Sequence, residues 1–235
     1  MTAEVGAGEV GAGDVGAREV LVVVAAGPGL GRSVALRFAR EGAAVGLVAR
    51  SAESAAALAD ELGAAGAAAV ATAAADVGDE QALRSALGDL VRELGPATAL
   101  VYNGSAYVEG SGLTLAPADL RLAVDVGVTG AMVAAQEVAP SMRAAGRGTV
   151  LLTGSVAADR ASTSATAVGV AKAALRNLAL SLHKELAPDG VRATTVTIDG
   201  ILQGPNALDL DEIADLYWRL HTQPDAPPAV VVHPG

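Results

Sequence analysis

Short apolar runs alternate with longer segments of helical pattern along most of the chain. Such alternation indicates βαβ units, in which parallel strands form one sheet and helices cover both of its faces. The pattern predicts strands at residues 19–25, 43–48, 68–74, 98–102, 149–153, 191–198 and 229–232. It predicts helices near residues 30–41, 52–65, 79–94, 117–145, 163–187 and 209–221, with caps such as Ser51, Asp79 and Asp209. We therefore expect an α/β fold, a Rossmann-type doubly wound seven-stranded parallel sheet with helices on both faces.

The length and apolar content of the chain fit a single domain. With 235 residues, 51% of them hydrophobic, the chain can bury one large core. Residues 1–17 differ, because they repeat a glycine-rich unit, Glu-Val-Gly-Ala-Gly, that is costly to order and has little apolar surface to bury. We expect residues 1–17 to be a flexible low-complexity tail, with an interaction segment as the alternative, and residues 18–235 to form the domain.

Composition argues against several functional classes. The net charge of -10 is the wrong sign for a protein that neutralises nucleic-acid phosphates. The chain has no cysteine, so it offers no disulfide, thiolate nucleophile or cysteine zinc ligand, and we expect no metal. The longest weakly polar runs, residues 20–31 and 64–75, are shorter than the roughly 20 residues of a membrane helix. The acidic start is unlike a signal peptide. We expect a cytoplasmic protein with neither nucleic-acid nor membrane partners.

A glycine-rich turn connects the first predicted strand to the first predicted helix. The segment reads Ala25-Ala26-Gly27-Pro28-Gly29-Leu30-Gly31. Glycines in a strand-turn-helix unit allow backbone amides and the positive helix end to approach a pyrophosphate. This context predicts a dinucleotide site that contains Gly27, Gly29, Leu30 and Gly31.

The end of the second predicted strand indicates which dinucleotide binds. NAD sites usually have a carboxylate about 20 residues after the glycines, where it accepts a hydrogen bond from the ribose. Here the chain has Arg50 and Ser51 instead. An arginine can pair with the 2′-phosphate of NADP, and a serine can donate a hydrogen bond to it. We predict NADP as the cofactor; a solvated arginine at a strand end is the alternative.

Several motifs resemble those of the short-chain dehydrogenase/reductase family, and the resemblance extends from Glu19 to the C-terminus. Gly29 and Gly31 match the last glycines of the family's Thr-Gly-x-x-x-Gly-x-Gly turn, although the leading Thr-Gly is replaced by Val24-Ala25. The resemblance implies further contacts to the coenzyme after the third, fourth and sixth strands, at Asp76, Val77, Asn103, Gly104 and Leu202. It identifies the chain as a divergent member of that family.

Two of the family's four catalytic residues are retained. The family uses Asn, Ser, Tyr and Lys, and the resemblance places Ser155 and Lys172 in the serine and lysine positions. Val168 stands four residues before Lys172, where the family has tyrosine, and Gly127 stands where it has asparagine. The resemblance implies that Lys172 also binds the ribose of the coenzyme. Valine has no proton to transfer, so proton delivery must differ from that of the family.

Another tyrosine is a candidate for the missing phenol. Tyr107 follows the fourth predicted strand and should lie in a loop beside the nicotinamide. We therefore include Tyr107 with Ser155 and Lys172 as a catalytic candidate; an aromatic without a proton role is the alternative. Only about ten residues, 202–211, separate the sixth strand from the last helix, so the expected substrate pocket is open or completed by a partner.

The sequence is compatible with three functions. The first is an NADP-dependent oxidoreductase with altered proton delivery, acting on a small-molecule carbonyl, imine or enone. The second is a protein that binds the coenzyme without redox chemistry, and the third is a non-redox cyclase or dehydratase on the same fold. In each case we expect a homodimer or homotetramer that pairs through the predicted helices at residues 117–145 and 163–187.

Overall fold

The computed structural model describes residues 18–223, 225 and 227–233. The tail predicted at residues 1–17 lies outside the described residues and stays a prediction. Within the described part the strands are β1 (Val20–Val24), β2 (Ala44–Ala49), β3 (Ala69–Ala74), β4 (Ala99–Tyr102), β5 (Gly148–Ser155), β6 (Val191–Ile198) and β7 (Ala229–Val232). The helices are α1 (Leu30–Arg40), α2 (Ala52–Ala65), α3 (Glu80–Leu94), α4 (Pro117–Val124), α5 (Gly130–Ala145), α6 (Thr166–Leu186) and α7 (Leu210–Thr222).

The strands form one parallel sheet in the order β3-β2-β1-β4-β5-β6-β7. The winding direction reverses between β1 and β4, where Val24 pairs with Tyr102. In doubly wound sheets this reversal opens a crevice at the carboxyl ends of the strands, and ligands bind there. The Rossmann-type fold expected from the sequence is confirmed.

Two apolar layers hold the helices to the sheet. Alternate residues of the central strands face opposite sides, so all five residues of β1 are buried. On one side α1, α2 and α7 pack through residues such as Phe38, Leu62 and Tyr217. On the other side α3, α5 and α6 pack through residues such as Leu87 and Leu175. Burial on both faces makes the central strands the rigid support of the crevice.

Local hydrogen bonds explain where several helices begin. The side chains of Ser51, Asp79 and Asp209 each accept a backbone N–H in the first turn of α2, α3 and α7. These are the predicted caps, and they satisfy amides that have no intrahelical partner. Helix α6 begins three residues later than the predicted residue 163, because Ser162 Oγ accepts the backbone N–H groups of the two residues before the helix.

The helix predicted over residues 117–145 is interrupted. A wide, π-helical turn, Asp125–Thr129, separates α4 from α5, and it contains Gly127. By length and composition the whole stretch Pro117–Ala145 could cross a membrane, but half of its most apolar window is buried within the protein. A helix covering the core of a folded domain meets the same criteria, and α5 packs on α3 and β5 in this way.

Candidate active site

The predicted coenzyme residues meet at the carboxyl edge of the sheet. The glycine turn follows β1, Arg50 follows β2, Asp76 follows β3 and Asn103 follows β4. Parallel pairing of these four strands brings segments that are up to about 80 residues apart in sequence to the same edge. The crevice between β1 and β4 is therefore surrounded by the residues that the sequence assigned to a dinucleotide.

The glycine turn leaves open space in front of α1. A Cβ atom added at Gly27 or Gly29 would meet no atom within 4 Å. The backbone N–H groups of Arg32 and Ser33 donate to carbonyls of Gly27 and Gly29, whereas the preceding amides, those of Leu30 and Gly31, have no intrahelical acceptor. Open space before free amides at a positive helix end fits a pyrophosphate.

Arg50 has the exposure and position expected of a phosphate ligand. Its side chain is exposed directly after β2, and within the described part of the chain it forms no ion pair. The Ser51 hydroxyl, by contrast, is already engaged as the cap of α2, where it accepts from Ser54 N at 3.2 Å. Arg50 therefore has donors available for an anion, and Ser51 chiefly fixes the start of the neighbouring helix.

The turn after β3 is held by its own aspartate. Asp76 is exposed, and its Oδ1 accepts the backbone N–H of Gly78 at 2.9 Å. Val77 next to it is buried, with 6% of its surface exposed. The hydrogen bond orients the Asp76 carboxylate and leaves its second oxygen as an acceptor facing solvent.

Lys172 is buried beneath the crevice. Only 6% of its surface is exposed, and Nζ donates to the backbone oxygens of Thr153 at 2.7 Å and Gly104 at 3.4 Å. Burial lowers the pKa of Lys172 to about 8. The ammonium is thus anchored to the ends of β4 and β5, with one N–H left to donate to a ligand.

Ser155 lies close in sequence to one of these anchors, at the end of β5. It is half-buried, and its Oγ accepts the backbone N–H of Ala157 at 3.2 Å. Its own O–H remains able to donate to a substrate atom. The ammonium of Lys172 on α6 therefore contacts β5 two residues before Ser155, so both candidate catalytic residues lie at the same end of this strand.

Val168 and Gly127, which occupy the positions of the missing tyrosine and asparagine, lie at least partly buried in the helical segments. Val168 is half-buried on α6, one turn before Lys172. Gly127 is buried in the π-helical turn, and a Cβ added there would lie 3.2 Å from the Cβ of Ala171. Tyr107 lies in the loop between β4 and α4 with 67% of its surface exposed, so its hydroxyl is reachable from solvent.

Leu202 is half-buried in the short segment between β6 and α7. This segment closes on itself, since the backbone N–H of Leu208 donates to the carbonyl of Ile201 at 2.9 Å. It forms a compact turn rather than an extended lid. The substrate side of the crevice is thus bordered mainly by the loops after β4 and β5.

Sequence reasoning missed an ionic cluster at the same edge. Arg160 binds Asp199 through two hydrogen bonds, of 2.7 and 2.9 Å, and His233 lies 3.2 Å from the same carboxylate. The cluster ties the loop after β5 to the ends of β6 and β7. No local motif marks this cluster, because the partners of Asp199 are 39 and 34 residues away along the chain.

Comparison with known proteins agrees with this geometry. Residues 19–206 match the family model described as short chain dehydrogenase. Serine 3-dehydrogenase from Rhizobium radiobacter is 29% identical over 229 residues, which cover 87% of this chain and 88% of that protein. The 3-dehydrosphinganine reductase of Arabidopsis thaliana is 31% identical over 169 residues, or 71% of this chain, but the match spans only 50% of the plant protein.

Solved structures show the same architecture. A metagenomic short-chain oxidoreductase in complex with NADP aligns with a TM-score of 0.82 at 27% identity, over 92% of this chain and 97% of that one. The parallel sheet and its strand order agree with the family match over most of the sequence. The chain belongs to the short-chain dehydrogenase/reductase family, a family of oxidoreductases.

Proposed function

We propose that the protein is an NADP(H)-dependent oxidoreductase with altered proton delivery, acting on a small-molecule carbonyl, imine or enone. The observation that carries this proposal is the open glycine turn at the switch point of the sheet together with the buried ammonium of Lys172 beneath the same edge, in a chain of the family that has valine at the tyrosine position. The open space at Gly27 and Gly29 and the ammonium of Lys172 support binding of a dinucleotide, while valine at position 168 has no proton to donate.

The preference for NADP over NAD rests on Arg50. No carboxylate stands at the end of β2 to accept from a ribose hydroxyl, and the exposed guanidinium has no ion pair within the described residues. A bidentate arginine–phosphate contact favours the extra phosphate of NADP. The open turn at Gly27 and Gly29 would receive the pyrophosphate, and Asp76 has an oxygen free to accept from the adenine.

The bound coenzyme would supply a hydride, and the residues of this chain would orient the acceptor and control its charge. Ser155 can donate its O–H to the substrate heteroatom, and the Lys172 ammonium can bind the ribose while adding positive charge nearby. Because Val168 cannot supply a proton, favoured substrates are those that need little acid catalysis. An iminium carbon accepts a hydride without a proton, and an enone takes its proton from water after reduction.

A second function is favoured by the same substitutions. Loss of both the tyrosine and the asparagine positions, to Val168 and Gly127, is also what a coenzyme-binding protein without redox activity would show. Oxidation of NADPH under anaerobic conditions against a panel of carbonyls, imines and enones separates the two functions. Turnover with any class supports the oxidoreductase, and tight coenzyme binding without turnover supports the binding protein.

Thermal unfolding tests the choice of coenzyme. NADPH should raise Tm more than NADH at equal concentration. A coenzyme at a hundredfold its Kd adds about 2.7 kcal/mol to the free energy of unfolding. Arg50→Glu should reverse that order, because the new carboxylate repels the 2′-phosphate and accepts from a ribose hydroxyl. Arg40→Glu, at the exposed end of α1, is the matched control and should keep the wild-type order. Equal shifts with both coenzymes in the wild type would exclude an NADP preference.

Replacing Val168 tests whether the remaining site is built for hydride transfer. Val168→Tyr places a phenol one helical turn from Lys172, and carbonyl reduction should appear or rise by part of the roughly hundred- to ten-thousandfold that general acid catalysis supplies. Val170→Tyr, on the exposed face of the same helix, should leave the rate unchanged. Steady-state NADPH oxidation with a carbonyl panel measures both variants. No gain for Val168→Tyr with any carbonyl would argue against hydride chemistry.

A further inference from the structure

The hydroxyl of Tyr102 links β4 to the break between α4 and α5. Tyr102 is the last residue of β4 and is fully buried. Its hydroxyl donates to the backbone oxygen of Val126, inside the π-helical turn Asp125–Thr129. A side chain that bonds to a helix carbonyl is one of the recognised causes of a local break in a helix.

Two glycines make room for this hydroxyl. A Cβ added at Gly104 would lie 2.6 Å from the Tyr102 hydroxyl, and one added at Gly130 would also overlap it. The same Cβ at Gly130 would lie 2.6 Å from the backbone oxygen of Val77. The hydroxyl therefore lies at the junction of three segments: the turn after β3, the turn after β4, and the start of α5.

Two residues near the Tyr102 hydroxyl, Gly104 and Gly127, also lie next to Lys172 or its neighbour on α6. A Cβ added at Gly104 would lie 2.7 Å from the Tyr102 ring, and the backbone oxygen of this same glycine is one of the two acceptors of the Lys172 ammonium. The residue after Val126 is Gly127, which packs on Ala171, the immediate neighbour of Lys172. Tyr102 thus supports both the acceptor of the ammonium and the helix surface beside it.

We propose that Tyr102 is a positioning residue whose hydroxyl holds the turn at Gly104 and the π-helical turn in place, and thereby fixes the ammonium of Lys172. Gly127 in the same turn has no side chain, whereas Tyr102 supplies a hydrogen bond to the turn from β4. Burial, with a smaller contribution from the charge of Asp76, raises the pKa of Tyr102. The hydroxyl stays protonated as a permanent donor and has no access to a substrate.

Nuclear magnetic resonance of lysine labelled at Cε tests this inference without any coenzyme. The chain has two lysines, Lys172 and the exposed Lys184, so each gives one assignable signal. In the wild type Lys172 should titrate near its lowered pKa of about 8. In Tyr102→Phe the Val126 carbonyl loses its hydrogen bond, so water can enter to bind it and the turn at Gly104 becomes less rigid. The Lys172 ammonium would then be better hydrated, and its pKa should rise toward its ordinary value. Lys184 is the internal reference.

A matched control separates positioning from a general loss of stability. Thr194→Val removes another buried hydroxyl, which donates to the Pro227 carbonyl at 2.9 Å on the side of the sheet away from α6. Both variants should lower Tm, but only Tyr102→Phe should move the Lys172 titration. Identical Lys172 titration curves in the wild type and Tyr102→Phe would overturn the proposal, as would an equal shift in Thr194→Val.

A double-mutant cycle on coenzyme binding gives a second readout, and this arm alone rests on the proposed function. Tyr102→Phe should weaken NADPH binding roughly three- to tenfold, as expected for one lost hydrogen bond. In a Lys172→Met background, Tyr102→Phe should change the Kd for NADPH by less than about twofold, because its effect on binding depends on the Lys172 ammonium. Fully additive effects would contradict positioning. If the wild type binds no NADPH, the proposed function fails while the lysine titration still decides the role of Tyr102.

Discussion

At the scale of single residues, the glycine turn carries one conformational strain. Ala25 has φ = 59°, and it is the one non-glycine residue with positive φ in the part of the chain that the structure describes. A Cβ in this left-handed region costs about 1–2 kcal/mol. The related family has glycine at this position, so the strain arises from a substitution in the motif rather than from the fold.

Relieving that strain should stabilise the protein. We expect Ala25→Gly to raise the free energy of unfolding by about 0.5–1 kcal/mol, and Tm by roughly 2 °C, after the greater freedom of glycine in the unfolded chain is deducted. Ala26→Gly is the matched control; Ala26 has no positive φ, so glycine there should lower Tm. Calorimetry measures both. A lower Tm for Ala25→Gly would show that the strain is compensated by its surroundings.

At the scale of elements, Glu19 connects several segments at the edge of the sheet where the strands begin. This carboxylate, directly before β1, accepts from Thr98 directly before β4, from His221 Nε2 at 3.2 Å and from Arg147 at 3.2 Å. The hydrogen bond from His221 lowers the pKa of Glu19 to about 2 despite the opposing effect of burial, with Thr98 and Arg147 contributing less. A cavity of about 300 Å³ lies beside the cluster, at the edge opposite the candidate active site.

This pKa gives a prediction for acid unfolding. The folded pKa of Glu19 lies below the ordinary 4.5, so the ionised carboxylate stabilises the protein above about pH 4.5, and this stabilisation disappears as the pH falls toward 2. Glu19→Gln should therefore lower the free energy of unfolding at pH 7, and with it Tm. The loss should be about 1 kcal/mol or less, because the interactions of Glu19 are partly exposed to solvent. The difference from wild type should shrink below pH 4.5.

Thermal melts from pH 7 to pH 2 measure that difference. Glu93→Gln, at an exposed position of α3 without an ion pair among the described residues, is the control and should follow the wild type throughout. A Glu19→Gln difference that stays constant down to pH 2 would mean that the carboxylate is not ionised in the native cluster.

At the scale of the whole molecule, apolar side chains remain exposed on the helices expected to pair. Leu122 on α4 is 47% exposed, Met132 on α5 is 40% exposed, and on α6 Leu180 is 37% exposed. Exposed apolar groups on neighbouring helices fit a surface covered by a second copy. We propose a homodimer or homotetramer that uses α4, α5 and α6.

Light scattering after size exclusion tests this assembly. The wild type should elute as a dimer or tetramer at micromolar concentration, and Leu180→Glu should shift it toward smaller species because a carboxylate would be buried without a partner. Leu113→Glu, in the loop before α4 where the side chain is 99% exposed, should not change the mass. A wild-type monomer at micromolar concentration would refute the proposal.

Sequence alone determined the fold class and predicted where the coenzyme should bind, because both inferences follow from local rules. Strand and helix periods predicted the parallel sheet, and the caps Ser51, Asp79 and Asp209 act within three residues of their own positions. The glycine turn needed only its strand and helix neighbours to be interpreted. The resemblance to the family predicted roles for Ser155 and Lys172, and it drew attention to Val168, four residues before the lysine.

Tertiary structure decided which groups touch. The acceptors of the Lys172 ammonium lie 68 and 19 residues away, Tyr102 reaches a carbonyl 24 residues further along, and Glu19 meets a histidine 202 residues later. No local pattern encodes such pairs, since they depend on strand order and on how each helix packs against the sheet. The break between α4 and α5 is the same kind of feature: helical periodicity continues through residues 117–145, and a buried tyrosine on a neighbouring strand holds the turn where the helix widens.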